Sequence, residues 1–272
     1  MENSRQINDW IVRYGFLLKK RNSDKQKDKF IQAFLTDVLS IRDDINVIEI
    51  EDKKKKYHNI YIGDFSKADK IITTYFDTPI VSFGDYSFSD MENNKRNTLF
   101  RITIESIFAL MGGVAVFFLL NNFFEGTFLT TVLTIFALVF FFVFNKIVKG
   151  RADGKTQVRN TSSVITILSL LTKYKKNKKI AFAIVDGGCT NSVGLVTLYN
   201  NLKKQSKIFE LDCVGVNEKL VLTDSVFKET SLEIYKIHPE MEKISKALLA
   251  GKIESDILIT QKQCIETIME GK

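Results

Sequence analysis

Residues 59–79 read NIYIGDFSKADKIITTYFDTP, and the fold turns on how this stretch is read. Lys70 to Tyr75 is a β-branched run that predicts a central strand. It leads into Phe76, Asp77, Thr78 and Pro79, so a carboxylate sits at the strand's end, where open α/β sheets place their sites. Working backward, Asn59 to Ile62 and Val47 to Ile50 predict two more strands, joined across the lysine run Lys53 to Lys56. That run reads as a solvated turn; four lysines without interleaved aromatics do not describe a nucleic-acid site, and anionic lipid headgroups suit them better. Earlier still, Phe30, Ile31, Phe34, Leu35, Val38 and Leu39 recur at helical spacing.

Working forward, the same alternation of helix and strand resumes only after residue 148. Asn160 or Thr161 is positioned to cap a helix whose Val164, Ile165, Leu168 and Leu171 form one face, closed by the basic run Lys173 to Lys179. Ile180 to Val185 (IAFAIV) predicts a buried strand ending in Asp186, Gly187, Gly188 and Cys189, and a helix is expected from Ser192 to Leu202. Phe209 to Val214 (FELDCV) predicts another strand, with Asp212 near its end and Lys219 to Thr223 as its neighbour. His238 falls in an expected loop before a helix. Three strand ends thus carry Asp77, Asp186 and Asp212. Each half alone is short of strands, so residues 1–97 and 149–272 read as two parts of one α/β domain, a mixed sheet flanked by helices, interrupted by residues 98–148.

The interruption has its own composition. The chain has 272 residues and a formal charge of +7, yet 11 of its 22 phenylalanines lie between Ile102 and Asn145, a window without Lys or Arg whose only charges are Glu105 and Glu125. Outside it, 39 basic residues face 30 acidic ones, or +9. Ile102 to Leu120 and Phe128 to Phe144 are apolar, separated by Asn121, Asn122, Glu125 and Gly126. A helix over the first spans about 28 Å, close to the hydrocarbon thickness of a bilayer. FALVFFFVF is apolar on every face, so a two-helix transmembrane hairpin is expected rather than a buried one. Lys95, Arg96 and Arg101 before it and Lys146, Lys149, Arg151 and Lys155 after it predict a two-pass protein of the cell membrane with both termini cytoplasmic. Glu105 lies one turn inside the boundary, within reach of the interface or a partner helix, and Gly112-Gly113 would allow close packing.

Cys189, Cys213 and Cys264 are odd in number and lack metal-ligand spacing, which excludes a disulfide framework and a structural zinc cluster. The N-terminus MENSRQINDW has no apolar core of the signal-peptide kind. Gly187-Gly188 reads as a tight turn, because the chain lacks GxGxxG and GxxxxGK[ST].

The order of these motifs resembles the co-catalytic zinc aminopeptidases, family 28 of the metallopeptidases. Tyr75-Phe76-Asp77-Thr78 is similar to that family's His-x-Asp, Arg159-Asn160-Thr161-Ser162-Ser163 to its Asp-Asn-x-Ser-Gly, Asp186-Gly187-Gly188-Cys189 to its Asp-x-Glu-Glu, and Asp212-Cys213-Val214-Gly215 to its Asp-x-x-Gly. The resemblance covers most of the sequence outside the hairpin and implies two zinc ions bridged by an aspartate and a water, with a glutamate as general base. Position by position, Tyr75 stands for a histidine ligand, Arg159 for the bridging aspartate, Gly188 for the general base and Cys189 for a glutamate ligand. The last histidine has no counterpart, since Ile257 follows Ser255-Asp256, and only Asp212 survives among the five ligand positions. A guanidinium about 4 Å from a divalent ion, at an effective dielectric near 20, is repelled by roughly 8 kcal/mol. The expectation is therefore no cofactor and no metal, with zinc returning only if the protein is active. Arg159 would pair with Asp77, Asp186 or Asp212 in place of the ions. Cys189 has no histidine placed to serve as its base, so a cysteine hydrolase is not expected.

Three functions compete. The first is a membrane-anchored pseudoenzyme that binds a peptide or partner protein through Tyr75, Asp77, Arg159, Gly188, Cys189 and Asp212, the three aspartates holding a cationic group such as a peptide amino terminus. The second is an active metal-dependent aminopeptidase with an altered site. The third is an accessory subunit of a membrane transport or immunity complex. The partners expected are a peptide or membrane protein, the lipid bilayer and a possible homo- or hetero-oligomer, with no nucleic acid.

Overall fold

A computed structural model describes residues 4–53, 55–202, 206–224 and 232–271. The chain forms two compact units, one from Met1–Pro79 with Asp153–Lys272, the other from Ile80–Ala152. Elements are numbered along the whole chain.

The first unit opens with helix α1 (Ser4–Trp10), which runs into a π-helical turn, Ile11–Leu17. Helix α2 (Asp24–Leu39) starts at a capping box in which Ser23 and Gln26 satisfy each other's backbone amides. Its buried face holds Phe30, Ile31, Phe34 and Val38, as the spacing predicts, and also Lys27; of the other two residues expected on that stripe, Leu35 is half-buried and Leu39, at the helix end, is exposed. Strands β1 (Ile45–Asp52), β2 (Lys55–Ile62) and β3 (Lys70–Tyr75) follow. After the second unit come a π-helical turn Gln157–Thr161, helix α5 (Ser162–Lys173), strand β5 (Ile180–Val185), helix α6 (Val193–Asn201), and strands β6 (Lys207–Leu211), β7 (Leu220–Asp224) and β8 (Ile234–Pro239). A two-residue strand β9 (Lys243–Ile244), a short helix α7 (Lys246–Leu249) and helix α8 (Ser255–Glu270) complete it.

Seven strands form one mixed sheet in the order β1-β2-β5-β3-β6-β8-β7. The four central strands, β5, β3, β6 and β8, are parallel, and the outer pairs are antiparallel. Strand β3, from before residue 80, thus lies between β5 and β6, both from after residue 152, and Tyr75 is in register with Val185. All six residues of β5 and the last five of β3 are buried, as expected for parallel strands covered on both faces. On one face Ile71, Tyr75, Ala183 and Val185 pack with Leu195, Leu198 and Tyr199 of α6. Every residue from Ser162 to Leu171 of α5 is buried.

Two local expectations change. His238 lies on β8, not in a loop, because Lys236 and His238 are buried between Ile234, Ile237 and Pro239. Thr161 makes no side-chain cap for α5; the helix is entered through the π-helical turn, and the Asn160 side chain turns instead to the Asp77 carbonyl.

The second unit holds the two-residue strand β4 (Tyr86–Ser87) and helices α3 (Met91–Phe123) and α4 (Gly126–Val148). Both helices are long and apolar enough to cross a membrane, with mean hydropathies of 2.1 and 2.5 over an 18-residue window of each, and neither apolar window is buried by the rest of the protein. Gly113 lets them approach: a Cβ there would stand 2.4 Å from Cε2 of Phe140. Glu105 is paired within its own helix, its Oε1 2.8 Å from Nε of Arg101.

Candidate functional site

The site lies at the carboxyl ends of the parallel strands, where the chain runs off β3, β5 and β6. Each end is anchored by an aspartate with negligible exposure: Asp77, Asp186 and Asp212. The turn after β5 needs Gly187, whose φ is +76°, and Cys213 after β6 is held at φ +57°, a left-handed conformation disfavoured for a residue with a Cβ. The backbone is therefore constrained where the sequence places the chemistry.

Asp212 is the hub. Its Oδ1 accepts from the Tyr75 hydroxyl at 2.9 Å, and its Oδ2 lies 2.8 Å from the ammonium of Lys236. The Tyr75 hydroxyl in turn accepts from Nε of Arg159 at 2.9 Å, so the guanidinium is linked to Asp212 through the phenol. Its Cζ lies 5.6 Å from the Tyr75 ring centroid. Glu210, two residues before Asp212, is buried; burial and, less strongly, Asp212 raise its carboxyl while Lys236 opposes them.

Asp186 forms a second node. Its Oδ1 is 2.8 Å from the Lys27 ammonium and accepts from the Gly187 amide at 2.7 Å, and its own amide donates to Asn59. Asp77 forms the third, its Oδ2 accepting from the Cys189 amide at 3.0 Å. Burial, and then the charge of Asp186, push its carboxyl up to about 7, against the pull of Lys27 and Arg159. Asn160 reaches the Asp77 carbonyl and, at 3.3 Å, the sulfur of Cys189. Cys189 is the partly exposed edge of the cluster, but its sulfur lies 3.2 Å from the Asp77 carbonyl, and burial raises its thiol well above the ordinary range. A thiolate nucleophile is disfavoured there.

Gly188 is buried behind Tyr75. A Cβ at this position would stand 2.3 Å from both Cβ and Cγ of the tyrosine, so the position that the resemblance assigns to the general base has no room for any side chain. Tyr75, Asp77, Arg159, Gly188, Cys189 and Asp212 are therefore brought together at one end of the sheet, with Asp186 beside them. Two lysines complete the arrangement that sequence reasoning passed over. Lys27 carried a signal, since it lies three and four residues before Phe30 and Ile31 on the apolar stripe of α2. Lys236 alternates with Ile234 and His238 along a strand that its polar residues disguised.

No family model matches the sequence, and no curated protein matches it. Among solved structures, a Zn-dependent exopeptidase from Parabacteroides distasonis superimposes with a TM-score of 0.60 over 100% of this chain and 99% of that one, at 8% identity. A glutaminyl cyclase of Porphyromonas gingivalis gives 0.57 over 99% and 98%, also at 8% identity. A leucine aminopeptidase precursor from Bacteroides thetaiotaomicron gives 0.52 over 95% and 97%, at 8% identity. At such identity the likeness establishes the fold, which these exopeptidases and cyclases share with this chain.

Proposed function

We propose that the chain is a membrane-anchored, catalytically inactive aminopeptidase-like protein that binds a peptide or partner protein at the cytoplasmic face of the membrane. One observation carries the inactivity: the Lys236 ammonium lies 2.8 Å from Asp212, the one carboxylate that the resemblance retains as a zinc ligand. With the Arg159 guanidinium reaching the same carboxylate through Tyr75, fixed positive charges stand where the resemblance implies metal ions. Zinc is soft enough to take imidazole, thiolate or carboxylate ligands, but an ammonium and a guanidinium repel it. This donor set does not fit a two-zinc centre, and Gly188 supplies no base.

The peptide as ligand class is supported by the fold, whose other holders include proteins described as an exopeptidase and a leucine aminopeptidase. Access is from the Cys189 side, where the cluster meets solvent. Asp186 and Asp212 already hold internal lysines, so within Tyr75, Asp77, Arg159, Gly188, Cys189 and Asp212 the carboxylate left for a ligand amine is Asp77, which is buried behind Cys189 and would be reached by displacing the Cys189 amide. The membrane assignment is supported by α3 and α4, two helices whose apolar windows the protein leaves uncovered. Lysine and arginine flank the apolar segments of the two helices and are missing from their connection, which favours termini on the cytoplasmic side.

Elemental analysis of the detergent-purified protein tests the central point. The expected result is far less than one zinc per chain, with aminoacyl reporter hydrolysis at background whether or not a chelator is present. Stoichiometric zinc with chelator-sensitive turnover that Asp212→Asn abolishes would replace this reading with the active aminopeptidase.

A further inference from the structure

The π-helical turn Ile11–Leu17 buries one side and leaves the other bare. Inside, Tyr14 is fully buried, and its hydroxyl joins the Arg13 guanidinium on Asp37 of α2. The Gly15 carbonyl accepts from Nε2 of Gln157 at 3.0 Å, which ties the turn to the entry of α5. Outside, Val12, Phe16 and Leu17 are 52%, 50% and 76% exposed. In a helix closed by bonds between residues five apart, positions i, i+4 and i+5 share one face, so the three side chains form a single apolar ridge. Lys19 and Lys20, both exposed, follow at once.

The position of this ridge gives it meaning. A Cβ on Gly154 would lie 3.1 Å from Cε of Lys20 and 3.7 Å from Cδ of Lys19, so both lysine stems lie along the chain just after it re-enters the sheet unit at Asp153. The Arg21 amide donates to Oγ1 of Thr78 at 2.9 Å, and the Thr78 amide returns the bond to the Arg21 carbonyl at 3.2 Å, one residue before the chain leaves at Pro79. The lysines that follow the ridge, and Arg21 after them, thus lie against both points where the helical hairpin is spliced in. Helix α4 ends at Val148, and six extended residues from there to Gly154 reach at most about 20 Å.

We propose that Val12, Phe16 and Leu17 insert into the interfacial layer of the bilayer that the hairpin spans, with Lys19 and Lys20 on anionic headgroups, as a second, peripheral membrane contact. This rests on the membrane reading of the hairpin. Apolar side chains flanked by lysine suit that layer because the rings and aliphatic tips leave water while the ammonium groups stay at headgroup level. The contact would fix which surface of the sheet unit faces the lipid.

The full chain reconstituted in phosphatidylcholine vesicles containing phosphatidylglycerol, with bromine on the acyl chains as a quencher, tests this. Phe16→Trp reports the ridge, Val139→Trp reports the hairpin, and Val196→Trp, 40% exposed on α6, which packs on the Ile71 and Tyr75 face of the sheet, is the solvent control; the parent chain supplies the Trp10 background. The added emission is expected to fall at least about twofold at positions 16 and 139 and to stay unchanged at 196, with Lys19→Glu/Lys20→Glu relieving the quenching at 16. All these sites are exposed, and far-ultraviolet circular dichroism verifies that the variants fold. Quenching at 139 without quenching at 16 overturns the inference while the hairpin still spans, leaving the ridge to a protein partner. Absence of quenching at both removes the membrane reading together with the inference.

Discussion

At the scale of single residues, the site differs from a metal centre in how its charge is balanced. Lys27 and Lys236 approach Asp186 and Asp212 at 2.8 Å each, so two of the three strand-end carboxylates have a built-in counter-ion. Asp77 has an amide hydrogen bond from Cys189 and a like charge nearby, which leaves it the group whose proton is in play. Its carboxyl is raised from 3.8 to about 7 on folding, chiefly by burial, so the folded state holds a proton that the unfolded state gives up. The associated stability is fully present below about pH 4, is lost as pH rises through 7, and changes no further above that. Asp77→Asn keeps an acceptor for the Cys189 amide but removes the ionisation. It is expected to raise the thermal midpoint at pH 8, by an amount equivalent to ~2–4 kcal/mol, and to make no difference near pH 4. Equal pH dependence in the two proteins, measured by thermal unfolding from pH 4 to 8, would show that Asp77 is charged throughout.

At the scale of elements, what the sequence discloses depends on how each strand is buried. Strands β3 and β5 are covered on both faces and read as continuous apolar or β-branched runs, KIITTY and IAFAIV, so they are found together with the aspartates that follow them. Strand β8, IYKIHP, is also central and parallel, but its lysine and histidine imitate a loop. Lys236 can be buried there because Asp212, on the neighbouring β6 end, neutralises it, and that pairing depends on register, which one sequence does not contain. The same reason hid Lys27: its counter-ion Asp186 is 159 residues away. Gly188 was visible as a loss, yet its cause, the Tyr75 side chain 2.3 Å from any added Cβ, is visible only in three dimensions. If β8 is held by this pair, Lys236→Met leaves Asp212 and Glu210 buried without their ammonium and is expected to destabilise the protein by about 3–5 kcal/mol. Adding Asp212→Asn should restore a large part of that loss, a coupling that a double-mutant cycle in chemical denaturation measures. Additive losses would mean that the lysine contributes by packing alone.

At the scale of the whole molecule, the chain is interrupted where it is easiest to interrupt. The sheet unit is left at Pro79 and rejoined at Asp153, and the Asp153 amide donates to the Pro79 carbonyl at 2.8 Å, so the two ends of the splice are in contact. All seven strands of the main sheet lie outside residues 80–152. An insertion whose ends touch need not contribute to the host's core, and such a host tolerates its removal. Replacing residues 80–152 by a short Gly-Ser linker is therefore expected to give a protein that stays in the soluble fraction, keeps its α/β circular dichroism and unfolds in one cooperative transition. The hydrophobic driving force for that transition survives, because Ile71, Ile72, Phe182, Ile184, Phe209 and the α5 face are all buried within the sheet unit itself. Each side chain of this kind contributes about 1.5–3 kcal/mol of burial, far more than closing a short loop takes away. Aggregation of the excised protein, or loss of its cooperative transition, would instead show that the hairpin supports the sheet, and the chain would have to be regarded as one membrane-embedded folding unit.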